Sequence, residues 1–204
     1  MADNRDIAQF NARAADYEAG PRALWHSVIV NRSADVALTA VPVPLRVLDV
    51  GCGSGALLRQ MNARLPNALE LIGVDPAIEM VRIARERAEG IEQFVQANAE
   101  QLPFADDHFD LVVSTSSFDH WRDQRRGLAE VARVLHRSGR FVLADLCAGW
   151  LSGSHEPGRA RTPDRVGSLL SHSGLEIERM ETIYRVVGMP LVRAFTTYKV
   201  YVPH

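Results

Sequence analysis

The segment from Val47 to Gly55 constrains the fold more than any other part of the chain. An apolar run that contains a single charged residue, Asp49, leads directly into a turn with Gly51, Gly53 and Gly55. A turn of small residues lets a ligand lie directly against the backbone, because a larger side chain would collide with the ligand or forbid the required φ. The segment therefore predicts a buried strand that ends at a nucleoside-binding site.

Short apolar runs alternate with longer amphipathic patterns, which predicts an α/β fold with a parallel sheet covered by helices on both faces. The predicted strands are Leu45–Val50, Leu69–Val74, Ile91–Gln96, Phe109–Val113 and Phe141–Leu146. Helical spacing of apolar residues predicts helices after the first, second and fourth of these strands. The breaks in the pattern place the ends of these helices before Pro66, at Gly90 and at Gly139.

The two flanks of this core follow other patterns. Residues 4–40 predict two helices before the first strand, and the glycine- and proline-rich stretch 148–163 predicts a long loop over the ligand edge of the sheet. After a short helix over 164–172, two further strands are expected to form an antiparallel hairpin at one edge. These strands are Leu175–Val187 and Arg193–Val202, joined through Gly188, Met189 and Pro190.

Composition narrows the class of protein. A chain of 204 residues is long enough for one domain, which we divide into an N-terminal helical part (1–44), a ligand-binding core (45–146) and a C-terminal part (147–204). A net charge of -2 gives no general attraction to nucleic acid or to an anionic membrane. Two cysteines fit a reducing compartment. We therefore expect a cytoplasmic protein without nucleic-acid or membrane partners, while its oligomeric state is left open.

Polar residues follow the predicted strands at the edge where open α/β sheets bind their ligands. Asp75 follows the second strand, where a carboxylate can accept both hydroxyl groups of a ribose. Asn98 and Ala99 follow the third strand and can offer an amide and backbone groups to the edge of a base. The fourth strand is followed by the polar and aromatic stretch 114–121. These residues are expected to meet at one site.

The motifs together resemble the class I S-adenosylmethionine-dependent methyltransferases of the small-molecule type, similar to the methyltransferase type 11 group. The segments that carry the resemblance, in order, are Val47–Gly55, Ile72–Asp75, Asn98–Phe104, Phe109–Val112 and Leu128–Leu143. The resemblance implies a Rossmann-like three-layer sandwich with a seven-stranded, mostly parallel sheet and one antiparallel strand. It also implies an N-terminal segment, around residues 10–17, that closes over the methyl donor as a lid. The implied donor is S-adenosylmethionine, with S-adenosylhomocysteine as the product.

A donor site is implied at the ends of the strands. The expected donor-binding residues are Tyr17, Asp49, Gly51, Cys52, Gly53, Gly55, Asp75, Pro76, Asn98, Ala99, Glu100 and Ser114. The family usually has Asp where this chain has Asn98, and the amide keeps a carbonyl acceptor while it loses the charge. Each assignment has a structural alternative: Asp75 can cap the following helix, Asn98 can be a turn residue, and Cys52 can simply be small.

The sequence motifs define the acceptor-binding side of the site less specifically than the donor-binding side. His120 follows the fourth strand, where an acceptor would approach the methyl group, and is a candidate general base. Tyr17 and Trp25 are candidates for a donor lid and an acceptor wall. Positions 114–117 lack the Asn/Asp-Pro-Pro-aromatic motif typical of enzymes that methylate exocyclic amines in nucleic acid, which favours a small organic acceptor; a protein acceptor stays open. The histidines show no metal-ligand spacing, and no metal is predicted.

Two other functions are compatible with parts of the pattern. The sequence Gly51-x-Gly53-x-x-Ala56 satisfies a loose dinucleotide fingerprint, which would indicate an NAD(P)-dependent oxidoreductase. However, Asp49 would face a pyrophosphate unfavourably, whereas it suits the ammonium group of a methionine moiety, directly or through water. A non-catalytic protein that binds S-adenosylmethionine or S-adenosylhomocysteine is the other alternative.

Overall fold

The computed structural model describes residues 3–19, 21–147 and 162–200. These residues form a seven-stranded sheet in the order β3-β2-β1-β4-β5-β7-β6. The strands are β1 (Arg46–Val50), β2 (Glu70–Asp75), β3 (Glu92–Gln96), β4 (Phe109–Thr115), β5 (Leu135–Leu146), β6 (Leu175–Val186) and β7 (Met189–Lys199). All neighbouring strands pair in parallel except for β7, which is antiparallel to both β5 and β6. The predicted sheet with one antiparallel strand is confirmed.

Helices cover both faces of the sheet. They are α1 (Asp3–Arg13), α2 (Pro21–Ala40), α3 (Ala56–Asn62), α4 (Ile78–Glu86), α5 (Gln124–Val134) and α6 (Pro163–His172), with short 3-10 turns at Ala14–Asp16 and Phe118–His120. Successive strand residues point to opposite faces, so that Val47 packs with α2, α3 and α4 while Leu48 packs with α5 and α6. The result is the predicted three-layer sandwich.

The N-terminal segment, residues 3–19, lies against α4. Ala14 is buried together with residues of α4, and Ile7, Phe10 and Tyr17 pack on the same small cluster. The side-chain oxygen of Asn11 accepts a hydrogen bond of 3.0 Å from the backbone N–H of Glu79, in the first turn of α4. The segment is thus held near the carboxyl end of β2, which precedes α4.

The boundary between α5 and β5 differs from the prediction. The helical pattern predicts that α5 ends at Gly139, whereas β5 already begins at Leu135, which pairs with Phe109 of β4. The register then shifts before Leu111 pairs with Arg140. A Cβ atom at Gly139 would lie 2.7 Å from the carbonyl oxygen of Asp110, so a glycine is needed where the two strands approach at this irregularity. Pairing with β4 therefore overrides the local helical pattern.

The hairpin turn also lies elsewhere than predicted. Val187 and Gly188 form it, with φ angles of 47° and 78°, while Met189 and Pro190 already belong to β7. A two-residue turn with positive φ at both positions matches the twist of the flanking strands. Pro190 pairs with Arg185 next to a register shift, where a missing N–H is tolerated.

Two further expectations concern the loop over 148–163 and the division of the chain into three parts. The predicted loop over 148–163 lies outside the described residues except for its end, where Thr162 caps α6 and Pro163 begins it. The division into parts 1–44, 45–146 and 147–204 stays a prediction. Across the described ranges, no helix has the length and apolar character needed to cross a membrane.

Candidate functional site

A partly open cavity lies at the carboxyl ends of β1, β2 and β4. The strand order reverses between β1 and β4, which is where open α/β sheets bind ligands. Predicted site residues that line it are Tyr17, Asp49, Gly51, Cys52, Gly53, Asp75, Pro76, Asn98, Ala99, Glu100 and His120. Gly55 and Ser114 are not among the lining residues. The structure therefore brings most of the predicted set together.

The glycine turn is fixed to the end of β2. Gly51 donates a hydrogen bond of 2.8 Å to the carbonyl oxygen of Val74, and Gly53 donates one of 2.9 Å to Oδ2 of Asp75. A Cβ atom at Gly51, where φ is 80°, would lie 2.3 Å from the hydroxyl oxygen of Ser117. A Cβ at Gly55 would lie 2.6 Å from the ring of Phe94, so Gly55 serves packing behind the cavity.

Two buried carboxyl groups, on Asp49 and Asp75, lie on neighbouring strands at the cavity. Burial, with a smaller contribution from Asp75, raises the pKa of Asp49 to about 8. Burial also raises the pKa of Asp75 to about 6, against the opposing effect of hydrogen bonds from the N–H groups of Ala77 and Gly53. A cationic group placed between these carboxyls would stabilise both of them in the ionised form. This part of the cavity is suited to a positively charged ligand.

The N-cap alternative for Asp75 is wrong, because the N-cap residue of α4 is Ala77 and no side chain caps it. Asp75 Oδ1 instead accepts a bond of 2.8 Å from the N–H of Ala77 just before the helix. Burial and both nearby acids raise the pKa of Cys52 well above its ordinary value, which agrees with the interpretation that Cys52 is a small residue and not a reactive thiolate.

The residues after β3 form the side wall. Asn98 is exposed, and its carbonyl oxygen accepts a turn hydrogen bond of 3.1 Å from Gln101. Asn98 is therefore a turn residue that also lines the cavity. Ala99 is buried, and Glu100 accepts a bond of 3.0 Å from the backbone N–H of Asp123, which joins this wall to the start of α5.

Ser114 is not positioned as predicted, because β4 continues to Thr115 and Ser114 is a fully buried strand residue. Its hydroxyl contacts that of Ser117 at 2.8 Å, and Ser117 donates in turn to the carbonyl oxygen of Val50 at 2.8 Å. Trp121 Nε1 donates to the same Ser117 oxygen at 3.3 Å. Ser117, which lines the cavity and was not singled out from the sequence, thus connects the ends of β1 and β4.

The N-terminal segment closes the cavity from the other side. His120 Nδ1 lies 3.1 Å from Oδ2 of Asp6 in α1, and the ring of Phe10 stands edge-on to the imidazole at 5.0 Å. Asp6, Ile7, Phe10 and His26 all line the cavity, whereas Trp25 does not, so the predicted acceptor-wall role of Trp25 is unsupported. The spacing of Asp6 and Phe10 places them on one helical face, but the sequence carries no signal for where that face docks.

Glu18 joins the N-terminal segment to the glycine turn. Its carboxylate accepts hydrogen bonds of 2.8 and 2.9 Å from Arg59 Nη2 and a further one from the hydroxyl of Ser54. Arg59 also donates 2.7 Å to the backbone oxygen of Ser54, and Arg87 forms an ion pair of 2.9 Å with Glu18. These contacts hold the neighbouring Tyr17 beside Gly53.

We expect Glu18→Gln to weaken the binding of a ligand in this cavity about fivefold, the effect of roughly 1 kcal/mol lost from the closed segment. The amide keeps an acceptor oxygen but loses the charge that pairs with Arg59. Calorimetric titration at low and high salt measures the effect, which should shrink at high salt. Glu86→Gln, which removes an exposed ion pair with Arg82 on α4, is the matched control. An equal loss of affinity in both variants would contradict the role of Glu18.

The described part of the chain contains no cluster of three or more histidine, cysteine, aspartate or glutamate side chains that could hold a metal ion. The absence of a metal therefore stays a prediction.

Comparison with known proteins identifies the kind of domain. Residues 48–143 match the family model described as "Methyltransferase domain". A malonyl-[acyl-carrier protein] O-methyltransferase from Geobacter sulfurreducens is 39% identical over 147 residues, which are 71% of this chain and 54% of that protein. A demethylmenaquinone methyltransferase from Thermus thermophilus is 39% identical over 117 residues, 56% of this chain and 52% of that protein. The chain spans about half the length of these curated relatives.

Solved structures share the fold. A chain of the complex between the Haloferax volcanii Trm112 methyltransferase activator and a methyltransferase superposes with a TM-score of 0.76 at 22% identity, covering 94% of this chain and 98% of that chain. At this identity the likeness concerns the fold alone. The family match favours the methyltransferase interpretation of the glycine turn over the oxidoreductase alternative.

Proposed function

Because the chain belongs to the class I S-adenosylmethionine-dependent methyltransferases, we propose that it transfers the methyl group of S-adenosylmethionine to a small organic acceptor. The observation that carries the proposal is the pair of buried carboxyls, Asp49 and Asp75, beside the glycine turn in one cavity. Asp49 disfavours a pyrophosphate beside the turn, and two acidic groups together favour a ligand with an ammonium and a sulfonium charge. The residues present therefore fit this donor.

Each donor moiety has a suitable partner. Asp75 would accept the ribose hydroxyls, and Asp49 would hold the ammonium group, directly or through water. Asn98 and Ala99 would contact the edge of the adenine. Tyr17, which packs beside the glycine turn and is held there through Glu18, would cover the donor from the N-terminal side.

The protein contributes orientation and the exclusion of water. S-adenosylmethionine, when bound, supplies a methyl group that is already activated on a sulfonium. The cavity walls need to bring an acceptor into line with it, and orientation of this kind accounts for about 7 to 11 kcal/mol of the barrier in favourable cases. Phe10 and Trp121 form apolar parts of these walls, and Trp121 is buried.

A small acceptor is supported by two observations. The N-terminal segment and the strand ends bound the cavity on two sides, and a demethylmenaquinone methyltransferase is among the relatives. Another relative acts on malonyl-[acyl-carrier protein], so a protein-carried acceptor belongs in any test. A non-catalytic donor-binding protein is the alternative that an assay has to separate.

The experiment is radiolabelled methyl transfer across phenols, amines, thiols, quinone-like lipids and malonyl-acyl carrier protein. Acceptor-dependent incorporation into a small molecule supports the proposal. Transfer confined to the protein-carried acceptor would overturn the small-molecule assignment. Binding of S-adenosylhomocysteine without any transfer would favour the non-catalytic alternative. Asp75→Ala, which should lose donor binding, controls for transfer that does not involve this cavity.

Donor binding should release a proton at neutral pH. Asp49, with a pKa of about 8, is mostly protonated at pH 7, whereas the ammonium group requires the carboxylate. The affinity for S-adenosylhomocysteine should therefore rise from pH 6 to pH 8 and then level off as Asp49 ionises before binding. Calorimetry at pH 7 in buffers of different ionisation enthalpy should detect the release of about one proton. Asp49→Asn should remove the release, and an unchanged proton count in that variant would show that another group carries it.

A further inference from the structure

The contact between Asp6 and His120 joins the N-terminal helix to the segment after β4, inside the cavity. We propose that these two residues form a general-base pair, and that the acceptor carries an acidic hydroxyl group, as in a phenol or an enol. The inference rests on the proposed function and deepens it: His120 is the catalytic residue that touches the acceptor, and Asp6 is the positioning residue.

The backbone of the turn that carries His120 is held from several sides, while the His120 side chain itself is 42% exposed. His120 ends the 3-10 turn Phe118–His120, whose first N–H donates 2.8 Å to the buried Oδ2 of Asp145 at the end of β5. Gln124 Nε2 donates 3.1 Å to the carbonyl oxygen of Phe118. Phe10 meets the imidazole edge-on with an interplanar angle of 86°. The anchored turn positions the residue, and the contacts of the ring with Asp6 and Phe10 orient it at the edge of the cavity.

The contact with Asp6 determines which nitrogen is free. Because the carboxylate is an acceptor, the neutral imidazole carries its proton on Nδ1 and donates it to Asp6, which leaves the lone pair of Nε2 unused. A base must lie within hydrogen-bond reach of the proton that it removes. Nε2 is the nitrogen available to an acceptor bound between Phe10 and Trp121.

The reaction step balances with these groups. The acceptor oxygen forms a bond to the methyl carbon while the sulfur–carbon bond breaks and its electron pair stays on sulfur. The hydroxyl proton passes to Nε2 of His120, so that the positive charge moves from the sulfonium to the imidazolium. Water removes this proton after the product leaves.

Several acidic side chains lie around His120. Asp6 faces it from α1, Asp75 from the end of β2 and Asp145 from the end of β5, and both of the latter acids are stabilised in their ionised form by the charge of His120. Asp119 and Arg122 flank it on its own segment. The acids outnumber the single arginine, and an anionic acceptor is therefore disfavoured at this end of the cavity.

The side chains that line the cavity beside His120 indicate the shape and polarity of the acceptor apart from its hydroxyl group. Ile7, Phe10 and Trp121 present apolar surface beside His120. A flat, neutral molecule fits between aromatic side chains, and a base of imidazole strength is matched to a phenolic or enolic hydroxyl more closely than to an aliphatic alcohol. Thiols ionise without such help, and their methylation would not require the pair.

The first test determines which ring nitrogen of His120 carries the proton, and it requires no methyl transfer. Nitrogen-15 NMR of the histidine side chains, at a pH where they are neutral, should show His120 protonated on Nδ1 and bare on Nε2. His120→Gln identifies the signal by its loss. Asp6→Ala, which removes the acceptor, should convert the ring to the Nε2-protonated form, whereas Asp16→Ala, the loss of an exposed carboxylate on the same segment, should leave it unchanged. An Nε2-protonated ring in the unsubstituted protein would overturn the pair.

The second test uses methyl transfer to 2-naphthol, thiophenol and benzylamine, with S-adenosylhomocysteine affinity measured in parallel. For naphthol, kcat should fall roughly 100-fold or more in His120→Gln and about tenfold in Asp6→Asn, with donor affinity retained. Transfer to the thiol or amine alone, or to naphthol equally in all variants, would overturn the inference while the proposed function stands. If the proposed function is wrong, the unsubstituted protein will instead show no binding of S-adenosylhomocysteine.

Discussion

Replacing Gly51 with alanine should lower the free energy of unfolding by about 2 to 5 kcal/mol and abolish donor binding. The left-handed φ of 80° costs about 1 to 2 kcal/mol for a residue with a Cβ. The new methyl group would also lie 2.3 Å from the hydroxyl oxygen of Ser117, and overpacking of this kind costs about 1 to 3 kcal/mol. Displacement of Ser117 would break its bond to Val50 and move the end of β1 that carries Asp49.

Urea unfolding of Gly51→Ala and Gly174→Ala, side by side, separates these contributions. Gly174 also has a left-handed φ, of 74°, but nothing lies within 4 Å of its Cβ position. Its replacement should therefore cost only the backbone strain, about 1 to 2 kcal/mol, and leave donor binding intact. Equal losses of stability in the two variants would contradict the close approach of Ser117 to Gly51.

Replacing Asp75 with alanine should weaken the binding of S-adenosylhomocysteine roughly 10- to 150-fold, equivalent to about 1.5 to 3 kcal/mol for hydrogen bonds to a charged group. The variant loses the proposed acceptor of both ribose hydroxyls. It also leaves the N–H groups of Gly53 and Ala77 without their carboxylate, which loosens the glycine turn. Titration calorimetry of both the variant and the unsubstituted protein measures the effect.

Asp110 provides a matched control for Asp75. Its Oδ2 accepts hydrogen bonds of 3.0 Å from the backbone N–H groups of Leu45 and Arg46, at the opposite end of β1 from the cavity. Asp110→Ala should therefore lower stability without changing donor affinity. If Asp75→Ala binds S-adenosylhomocysteine as tightly as the unsubstituted protein, the proposed donor site is wrong.

The sheet and most of the donor-side cavity could be predicted because their signals are local. An apolar strand, a turn with Gly51 and Gly53, and Asp75 at the end of the next strand each depend on neighbours in sequence, and the parallel topology brings strand ends together. The position of Ser114 could not be predicted, since the length of β4 is set by its pairing with β5 up to Thr115.

Contacts over long sequence separations had no local signal. Glu18 meets Arg59, and Asp6 meets His120, only because α1 docks on α4 through a small apolar cluster. A charged residue on an amphipathic helix, such as Asp6, or in a turn, such as Glu18, is usually solvated, and nothing in the sequence distinguishes these two from other such residues. The start of β5 at Leu135 was missed for the same reason, because pairing with Phe109 decides it.

The central claim is that the cavity beside Asp49 and Asp75 is built for a methyl donor. Isothermal titration with S-adenosylhomocysteine and, in a separate run, with NADH tests this claim most directly. We expect saturable micromolar binding of S-adenosylhomocysteine, weakened roughly 10- to 150-fold in Asp75→Ala and unchanged in Asp110→Ala, with no heat from NADH. Binding of NADH in place of S-adenosylhomocysteine, or affinity that is unaffected by Asp75→Ala, would contradict it.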